Sequence, residues 1–259
     1  MLNRINIVCY KWGTRYDAQD VNILYASVRR NIAVPVRFFC ITDDAAGLAP
    51  EIEAVPIMAA SRFGNGPKLY TFSDSALGLG PADYLVCIDL DTVIVGSLDF
   101  LLIRPELDFV IARHRNPKSL SRAHGAVYRV RVGSRREVWD EFIADPAAAA
   151  ARFPGRAGVN AFSEQKWLED LHQGREFDYF PHNKVIIFRR DCNARAPSFR
   201  LGERAGALGL TLAMFGEARL PGQGEAIVSF SGLTKPRDVM HHHHLHLRRA
   251  PFVEQFWHE

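Results

Sequence analysis

The stretch DYLVCIDLDTVIVGSL, residues 83 to 98, contains two aspartates, Asp89 and Asp91, inside an apolar run. The apolar residues before and after them predict a strand that is buried on both faces, as central strands of parallel sheets are. Side chains two residues apart on a strand share a face and lie roughly 6.5–7 Å apart. An unpaired carboxylate in such a place costs several kcal/mol, and the stretch contains no Lys or Arg to neutralise it.

A divalent cation would supply the missing positive charge. Ligands of open parallel sheets bind beyond the carboxyl ends of the strands. Mg²⁺ or Mn²⁺ takes one or two protein carboxylates there and fills its other positions with water and substrate phosphates. We therefore expect Asp89 and Asp91 to bind Mn²⁺ or Mg²⁺. The alternative is that the two aspartates cap a turn or form an ion pair with a distant arginine.

Composition indicates an enzyme-like α/β protein and argues against several other classes. The 259 residues are 47% hydrophobic and 24% charged, as in a globular domain, and the formal net charge of +3 is too small to indicate a nucleic-acid partner. Three of the four cysteines lie in predicted strands and none forms a C-x-x-C pair, which indicates buried, reduced thiols. The apolar run near the N-terminus is too short for a signal peptide or a transmembrane segment. We expect a cytoplasmic protein.

The first half of the chain shows alternating strand and helix patterns. Strands are predicted at 5–10, 36–44 and 51–57 and helices at 21–31 and 68–77, followed by the strand that contains Asp89. This β-α-β-β-α-β order implies a parallel sheet with flanking helices. The second half is more irregular, with strands predicted at 108–114, 125–133, 183–191 and 225–232, and helices at 135–146, 145–152 and 162–173. No linker interrupts the pattern, so we expect one domain spanning 1–259.

Several motifs, in this order, resemble those of the nucleotide-sugar glycosyltransferases of the GT-A fold. They are CYKWGTRY (9–16), FCITDD (39–44), PKLYTF (67–72), CIDLDTVIVGSLD (87–99), SEQKW (163–167) and VSFSGLTKP (228–236). The similarity covers roughly residues 5 to 237 and is greatest to bacterial members akin to the glycogenin-like and lipopolysaccharide galactosyltransferase-like group. It implies a Rossmann-like, mostly parallel sheet flanked by helices. The nucleotide-binding half would be 1–100, the acceptor half 101–240 and the C-terminal tail 241–259.

The resemblance also implies an activity. The chain would be a metal-dependent hexosyltransferase that moves a sugar from a nucleoside diphosphate sugar, expected to be a UDP-sugar, to a hydroxyl of a saccharide or a lipid-linked acceptor. The related enzymes retain the anomeric configuration, and no residue of the sequence announces itself as the base that an inverting enzyme needs.

Individual positions take roles from the matching motifs. Tyr10, Lys11 and Trp12 would surround the nucleotide, although Tyr10 and Trp12 could equally be core aromatics. Lys68, Asp89, Gly232 and Lys235 would contact the donor, although both lysines could be surface residues. Asp89 and Asp91 would hold the metal. Glu164 and Gln165 would be the catalytic pair on the acceptor side; alternatively, Ser163 caps a helix and Glu164 favours its dipole.

Two features near the C-terminus depart from the family pattern. The closing motif of the family has a metal-binding histidine before its glycine, and this chain has Ser231 there. A hydroxyl is a poorer ligand for Mn²⁺, so metal binding or activity would be weaker. The tract HHHHLH (241–246) offers substitute ligands or is simply a solvated tract. The segment 245–257 could form an amphipathic helix that makes peripheral contact with a membrane, or it could pack on its own domain.

Two other functions fit parts of the sequence. VCIDLDTV also resembles the opening of a haloacid-dehalogenase-like, Mg²⁺-dependent phosphatase, with Asp89 as nucleophile and Asp91 as acid and base. Against this, a βαβ unit precedes the motif, and no Asp-Asp pair follows it. The second alternative is a non-catalytic protein that binds nucleotide sugars, which the serine at position 231 would favour.

Overall fold

A six-stranded mixed sheet and a smaller three-stranded sheet organise the described part of the protein. The computed structural model describes residues 1–74, 76–114, 123–155, 162–192, 217–230, 232, 234–241 and 249–259. Its strands are β1 (Ile5–Lys11), β2 (Val36–Thr42), β3 (Ile52–Pro56), β4 (Tyr84–Ile88), β5 (Thr92–Ile94), β6 (Phe109–Arg113), β7 (Ala123–Arg131), β8 (Val185–Ile187) and β9 (Ile227–Ser229). Its helices are α1 (Ala18–Arg30), α2 (Arg136–Ala144), α3 (Pro146–Arg152), α4 (Glu164–Leu171), α5 (Phe188–Asp191), α6 (Pro236–Val239) and α7 (Phe252–Phe256).

The strand order of the large sheet is β3-β2-β1-β4-β7-β6. Strands β3, β2, β1 and β4 run parallel, whereas β7 is antiparallel to both β4 and β6. The chain proceeds outward from β1 in one direction through β2 and β3, and returns to pair β4 on the other side of β1. The direction of winding therefore reverses between β1 and β4, which is where open α/β sheets bind ligands. The predicted fold class is confirmed.

The central strands are buried on both faces, as their composition predicts. All seven residues of β1 are buried, and alternate side chains enter two different hydrophobic clusters: Ile7 and Cys9 on one face, Val8 and Tyr10 on the other. All four cysteines are buried and free, as expected. Helix α1 begins with a capping box between Asp17 and Asp20, and its last turn carries two arginines that favour the helix dipole.

The aspartate segment differs from the prediction of one continuous strand. Residues 84–88 belong to the large sheet and residues 92–94 to the small sheet, where β5 pairs with β9. Asp89, Leu90 and Asp91 form the link between the two strands. The backbone carbonyl of Asp91 accepts a hydrogen bond from Phe230 N (2.7 Å), and the backbone carbonyl of Asp89 accepts one from Thr92 Oγ1 (2.8 Å). A bend at this point takes both carboxylates out of the doubly buried strand.

Two other predicted elements also differ from the structure. The helix predicted at 68–77 is replaced by two 3₁₀ helices, Gly66–Phe72 and Ala76–Gly78, because Pro67 opens the first and Leu77 has a left-handed backbone (φ 58°) in the second. The strand predicted at 183–191 ends at Ile187 and turns into α5, where the carboxylate of Asp191 accepts a hydrogen bond from Ile187 N (2.8 Å).

The C-terminal segment packs on its own domain. Phe252 and Val253 join a hydrophobic cluster behind the small sheet. Arg30, at the end of α1, donates a hydrogen bond to the carbonyl of His258 (2.7 Å). Among the described residues, no helix has the length and apolarity needed to cross a membrane.

Gly66→Ala is expected to destabilise the protein and to displace the 3₁₀ helix that carries Lys68. A Cβ at position 66 would lie 2.3 Å from Ser61 O and 2.5 Å from Phe142 Cζ. Such overpacking costs about 1–3 kcal/mol, so the melting temperature should fall by several degrees. Gly80→Ala is the matched control because a Cβ there meets nothing within 4 Å. Equal melting temperatures for the two variants would contradict the packing described here.

Candidate active site

A cavity of about 720 Å³ opens beyond the carboxyl ends of β1 and β4, at the reversal of winding. The loop after β1, the Asp89–Asp91 link, the start of β7 and the start of α4 all contribute to its walls. Its volume is within the range of small-molecule and cofactor sites. The described chain therefore brings its sequence-predicted carboxylates to a cavity large enough for a nucleotide and a sugar.

Lys68 is held between two carboxylates at the bottom of this site. Its Nζ lies 2.5 Å from Asp89 Oδ1 and 3.4 Å from Glu164 Oε1, and the lysine side chain is only 9% exposed. The other oxygen of Glu164 accepts a hydrogen bond from Asn65 Nδ2 (2.6 Å). Burial alone would lower the pKa of Lys68, but Asp89 and Glu164 raise it well above its ordinary value. The lysine is therefore charged, and it neutralises part of a buried acidic group.

Asp91 has no such partner. Among the described residues no cation lies within ion-pair distance of its carboxylate, and burial together with repulsion from Asp89 raises its pKa to about 7. The charges of Lys68 and Arg15 oppose that shift without cancelling it. Burial also raises the pKa of Asp89, and there Lys68 opposes the shift more directly. Asp91 is thus the carboxylate of the pair that lacks a counter-charge.

The donor atoms fit a hard divalent cation that completes its coordination with ligand oxygens. The cavity presents the carboxylates of Asp89 and Asp91, and the hydroxyl of Ser229, a further cavity-lining residue, is buried without a hydrogen-bond partner among the described residues. The described residues contain no group of three or more His, Cys, Asp or Glu side chains placed to hold a metal. A cation here would therefore depend on phosphate and water for most of its ligands. Ser231 and His242–His246 lie outside the described residues.

Positively charged side chains collect around Gly232, which has a left-handed backbone (φ 99°). Arg15 donates a hydrogen bond to the carbonyl oxygen of Gly232. Tyr16 lies under two cations: Lys235 Nζ is 4.6 Å from its ring centroid and Arg15 Cζ is 5.3 Å from it. A Cβ on Gly232 would lie 3.7 Å from Arg189 Nη1. This rim of the cavity is cationic.

Helix α4 brings Glu164 and Gln165 to the opposite wall. Ser163 caps the helix through a hydrogen bond from Lys166 N (3.4 Å), as the alternative interpretation of this motif had it, and Glu164 lies in the first turn. Gly125 of β7 allows this close approach, since a Cβ there would lie 3.2 Å from Glu164 Oε1 and 3.3 Å from Gln165 Cγ. Both oxygens of Glu164 are engaged, whereas Gln165 lines the cavity.

The three residues at the end of β1 have different surroundings. Trp12 lines the cavity and packs edge-to-face on Tyr10, with ring centroids 6.4 Å apart. The hydroxyl of Tyr10 donates to the carbonyl of Lys68 (2.9 Å), so Tyr10 also supports the lysine. Lys11 is buried and its Nζ donates to the carbonyl of Asp44 (2.8 Å), away from the residues that line the cavity. A role for Lys11 with the nucleotide stays a prediction.

Several residues of the cavity wall received no role from the sequence patterns, among them Arg15, Tyr16, Arg189 and His124. Arg15 and Tyr16 lie inside the quoted motif CYKWGTRY, so the motif was the available signal. Arg189 and His124 come from segments that carry no motif. Burial and nearby His114 lower the pKa of His124 to about 3, so its imidazole is neutral.

Comparisons with known proteins support the fold. No protein-family model and no curated protein matches the chain. Among solved structures, it is similar to the galactosyltransferase LgtC in complex with donor and acceptor sugar analogs, with a TM-score of 0.52, 13% identity and coverage of 90% of this chain and 89% of LgtC. Two structures of the glycosyltransferase GlyE of Streptococcus pneumoniae TIGR4 also match, with TM-scores of 0.59 and 0.57 and 11% identity. They cover 98% and 97% of this chain, which spans 60% of the length of GlyE. The chain has the fold of these glycosyltransferases.

Lys68→Met is expected to lower the free energy of unfolding at pH 8 by about 3–5 kcal/mol, because it leaves Asp89 and Glu164 buried without their shared cation. Urea unfolding measures the change. Lys166→Met is the matched control: this lysine also lines the cavity, but within the described part of the chain its exposed Nζ donates only to the carbonyl of Pro154. The ion-pair assignment fails if the two variants are equally stable.

Asp91→Asn is expected to stabilise the metal-free protein at pH 8. An unfolded aspartate has a pKa of about 3.9, whereas the folded value is about 7. Between these values the folded state binds one more proton, so the ionisation of Asp91 lowers the free energy of unfolding as the pH rises. Asparagine does not ionise, so the variant keeps its free energy of unfolding as the pH rises.

The measurement is urea unfolding in EDTA at pH 8 and pH 5. The stabilisation by Asp91→Asn should be present at pH 8 and much smaller at pH 5. Glu141→Gln removes one carboxylate from an exposed position of α2 and serves as the control. A difference that is the same at both pH values would show that Asp91 does not carry the raised pKa.

Proposed function

We propose that this protein is a metal-dependent glycosyltransferase that moves a hexose from a UDP-sugar to a hydroxyl of a saccharide or lipid-linked acceptor. The observation that carries the proposal is the pairing of Asp89 and Asp91 with a cationic rim around one cavity at the winding reversal. A nucleoside diphosphate sugar together with a divalent cation bears the charges that match both halves of this wall. The likeness to glycosyltransferases of known structure supports the same conclusion.

The reaction breaks the bond between the sugar C1 and the diphosphate oxygen and forms one from C1 to the acceptor oxygen. Negative charge gathers on the departing diphosphate. A divalent cation bound by Asp89 and Asp91 would act as a Lewis acid on that leaving group. Lys235 contributes fixed positive charge at the rim, and the backbone at Gly232 lets phosphate approach closely. The acceptor proton passes to the leaving group or to solvent.

Trp12 and Tyr16 offer aromatic surface for the base and the ribose at the end of β1. Gln165 faces the region where the sugar and the acceptor would meet, and the neutral imidazole of His124 lies in the same wall. Glu164 holds Lys68, which in turn holds Asp89, so we assign Glu164 a positioning role.

We also propose retention of configuration. An inverting transferase needs a carboxylate to deprotonate the acceptor. The described carboxylates that line the cavity are Asp89, Asp91 and Glu164. Asp89 and Glu164 are ion-paired with Lys68, and Asp91 is assigned to the cation, so none of the three is left for that task.

The first test is a screen of UDP-hexoses with Mn²⁺ or Mg²⁺, with and without simple saccharide acceptors, in which release of UDP is measured. We expect metal-dependent release that Asp91→Ala abolishes and Glu141→Gln leaves intact. A parallel thermal-shift panel of UDP, GDP, dTDP and CMP identifies the nucleotide. A ligand at about a hundred times its dissociation constant raises the free energy of unfolding by roughly 2.7 kcal/mol, which raises the melting temperature.

Two other outcomes would identify the alternative functions. Nucleotide binding without turnover on any donor would identify a non-catalytic binding protein. Phosphate release from phosphomonoesters with Mg²⁺, in the absence of nucleotide binding, would identify a phosphatase instead. The fold likeness favours the transferase over the phosphatase.

A further inference from the structure

The cations that line the cavity differ in whether carboxylates neutralise their charge. Lys68 is paired with two carboxylates. Arg15 and Arg189 also line the cavity, yet neither forms an ion pair with any carboxylate in the described part of the chain. The two arginines therefore present positive charge that the described protein does not neutralise.

These two arginines converge on one short piece of backbone. Arg15 donates to the carbonyl of Gly232 through one of its five N–H groups, which leaves others for a ligand. Arg189 Nη1 would lie 3.7 Å from a Cβ at position 232, so its guanidinium lies against the same glycine. We call the guanidinium groups of Arg15 and Arg189, together with the backbone of Gly232, the anion cradle.

The chemistry of the cradle selects phosphate oxygens. A guanidinium presents parallel N–H donors that match two phosphate oxygens at once. Glycine at position 232 leaves the space where a side chain would stand between the arginines and a ligand. Tyr16 restrains Arg15 by a cation–π contact. The arginine side chain therefore loses less conformational entropy when the ligand binds.

We propose that Arg15 and Arg189 bind the diphosphate of a nucleoside diphosphate without the help of a divalent cation. This inference rests on the proposed function for the identity of the ligand. It assigns metal-mediated binding to the carboxylates and direct binding to the arginines. The carboxylates bind ligand only through a metal, because alone they repel it, whereas the arginines attract the diphosphate directly. Some affinity for the diphosphate therefore persists when metal is removed.

The test measures dissociation constants of UDP, GDP, dTDP and inorganic pyrophosphate by calorimetry, in Mn²⁺ and in EDTA. In EDTA the wild type should still bind one nucleoside diphosphate, and Arg15→Gln and Arg189→Gln should each weaken that binding about ten- to a hundredfold. Arg15→Lys should weaken binding less than Arg15→Gln does, because lysine keeps the positive charge but not the two parallel N–H donors of the guanidinium. Arg29→Gln, at the exposed C-terminal end of α1, controls for the loss of one positive charge.

Asp91→Asn supplies a result that a general electrostatic or folding effect would not give. In Mn²⁺ it should weaken binding of the nucleoside diphosphate, because a metal ligand is lost. In EDTA it should leave binding unchanged or tighten it, because a repelling carboxylate is lost. A loss of affinity in Mn²⁺ that is absent in EDTA is the signature of two separate binding elements.

The outcomes distinguish the cradle from the proposed function. Binding that requires Mn²⁺, with no affinity in EDTA, overturns the cradle and leaves the transferase proposal standing. Equal affinities for the wild type and both arginine variants in EDTA also overturn it. If pyrophosphate binds in EDTA through the arginines but no nucleotide binds in either condition, the cradle stands and the proposed function falls.

Discussion

The buried ammonium of Lys68 is the interaction on which the site depends. It joins three pieces of chain that are distant in sequence: its own 3₁₀ helix, the end of β4 at Asp89 and the first turn of α4 at Glu164. Without a shared cation, the two carboxylates could not lie so close in a setting of low polarity, since each would lack a counter-charge. The lysine thereby fixes the distance between the wall at the end of β4 and the wall formed by α4.

The same arrangement explains why the second aspartate is left available. One lysine is shared by two carboxylates, and Asp91 receives only the longer-range effect of Lys68 and Arg15. The bend between the two sheets directs Asp91 into the cavity, where a cation from solution can reach it. The protein thus neutralises one aspartate internally, and under the proposed function its neighbour would bind the cation, so that structural and binding tasks would fall to two residues of the same motif.

The parts of the fold and site that depend on local pattern could be predicted from the sequence. The doubly buried β1 and β4, the helix cap at Ser163 and the buried free cysteines follow from apolar runs, capping chemistry and spacing. The division of the aspartate segment between two sheets could not be predicted, because it depends on the pairing of β5 with β9, more than a hundred residues away. The partners of Lys68 were hidden for the same reason, since Glu164 reaches it only after α4 packs against β7 at Gly125. Arg15 and Arg189 could not be recognised as one cationic group from the sequence, because they lie beside the same glycine, Gly232, only in the folded chain.

The charge distribution of the cavity also constrains which ligand can bind there. Among the described residues, Asp91 and the two arginines of the cavity form no ion pair with one another, so the protein does not neutralise these charges internally. A ligand that bridges them must be anionic toward the rim and must bring a cation toward the aspartates, and a metal–diphosphate unit has both properties. In the proposed reaction, departure of the metal–diphosphate product would leave Asp91 and the two arginines without that counter-charge, which favours binding of the next donor.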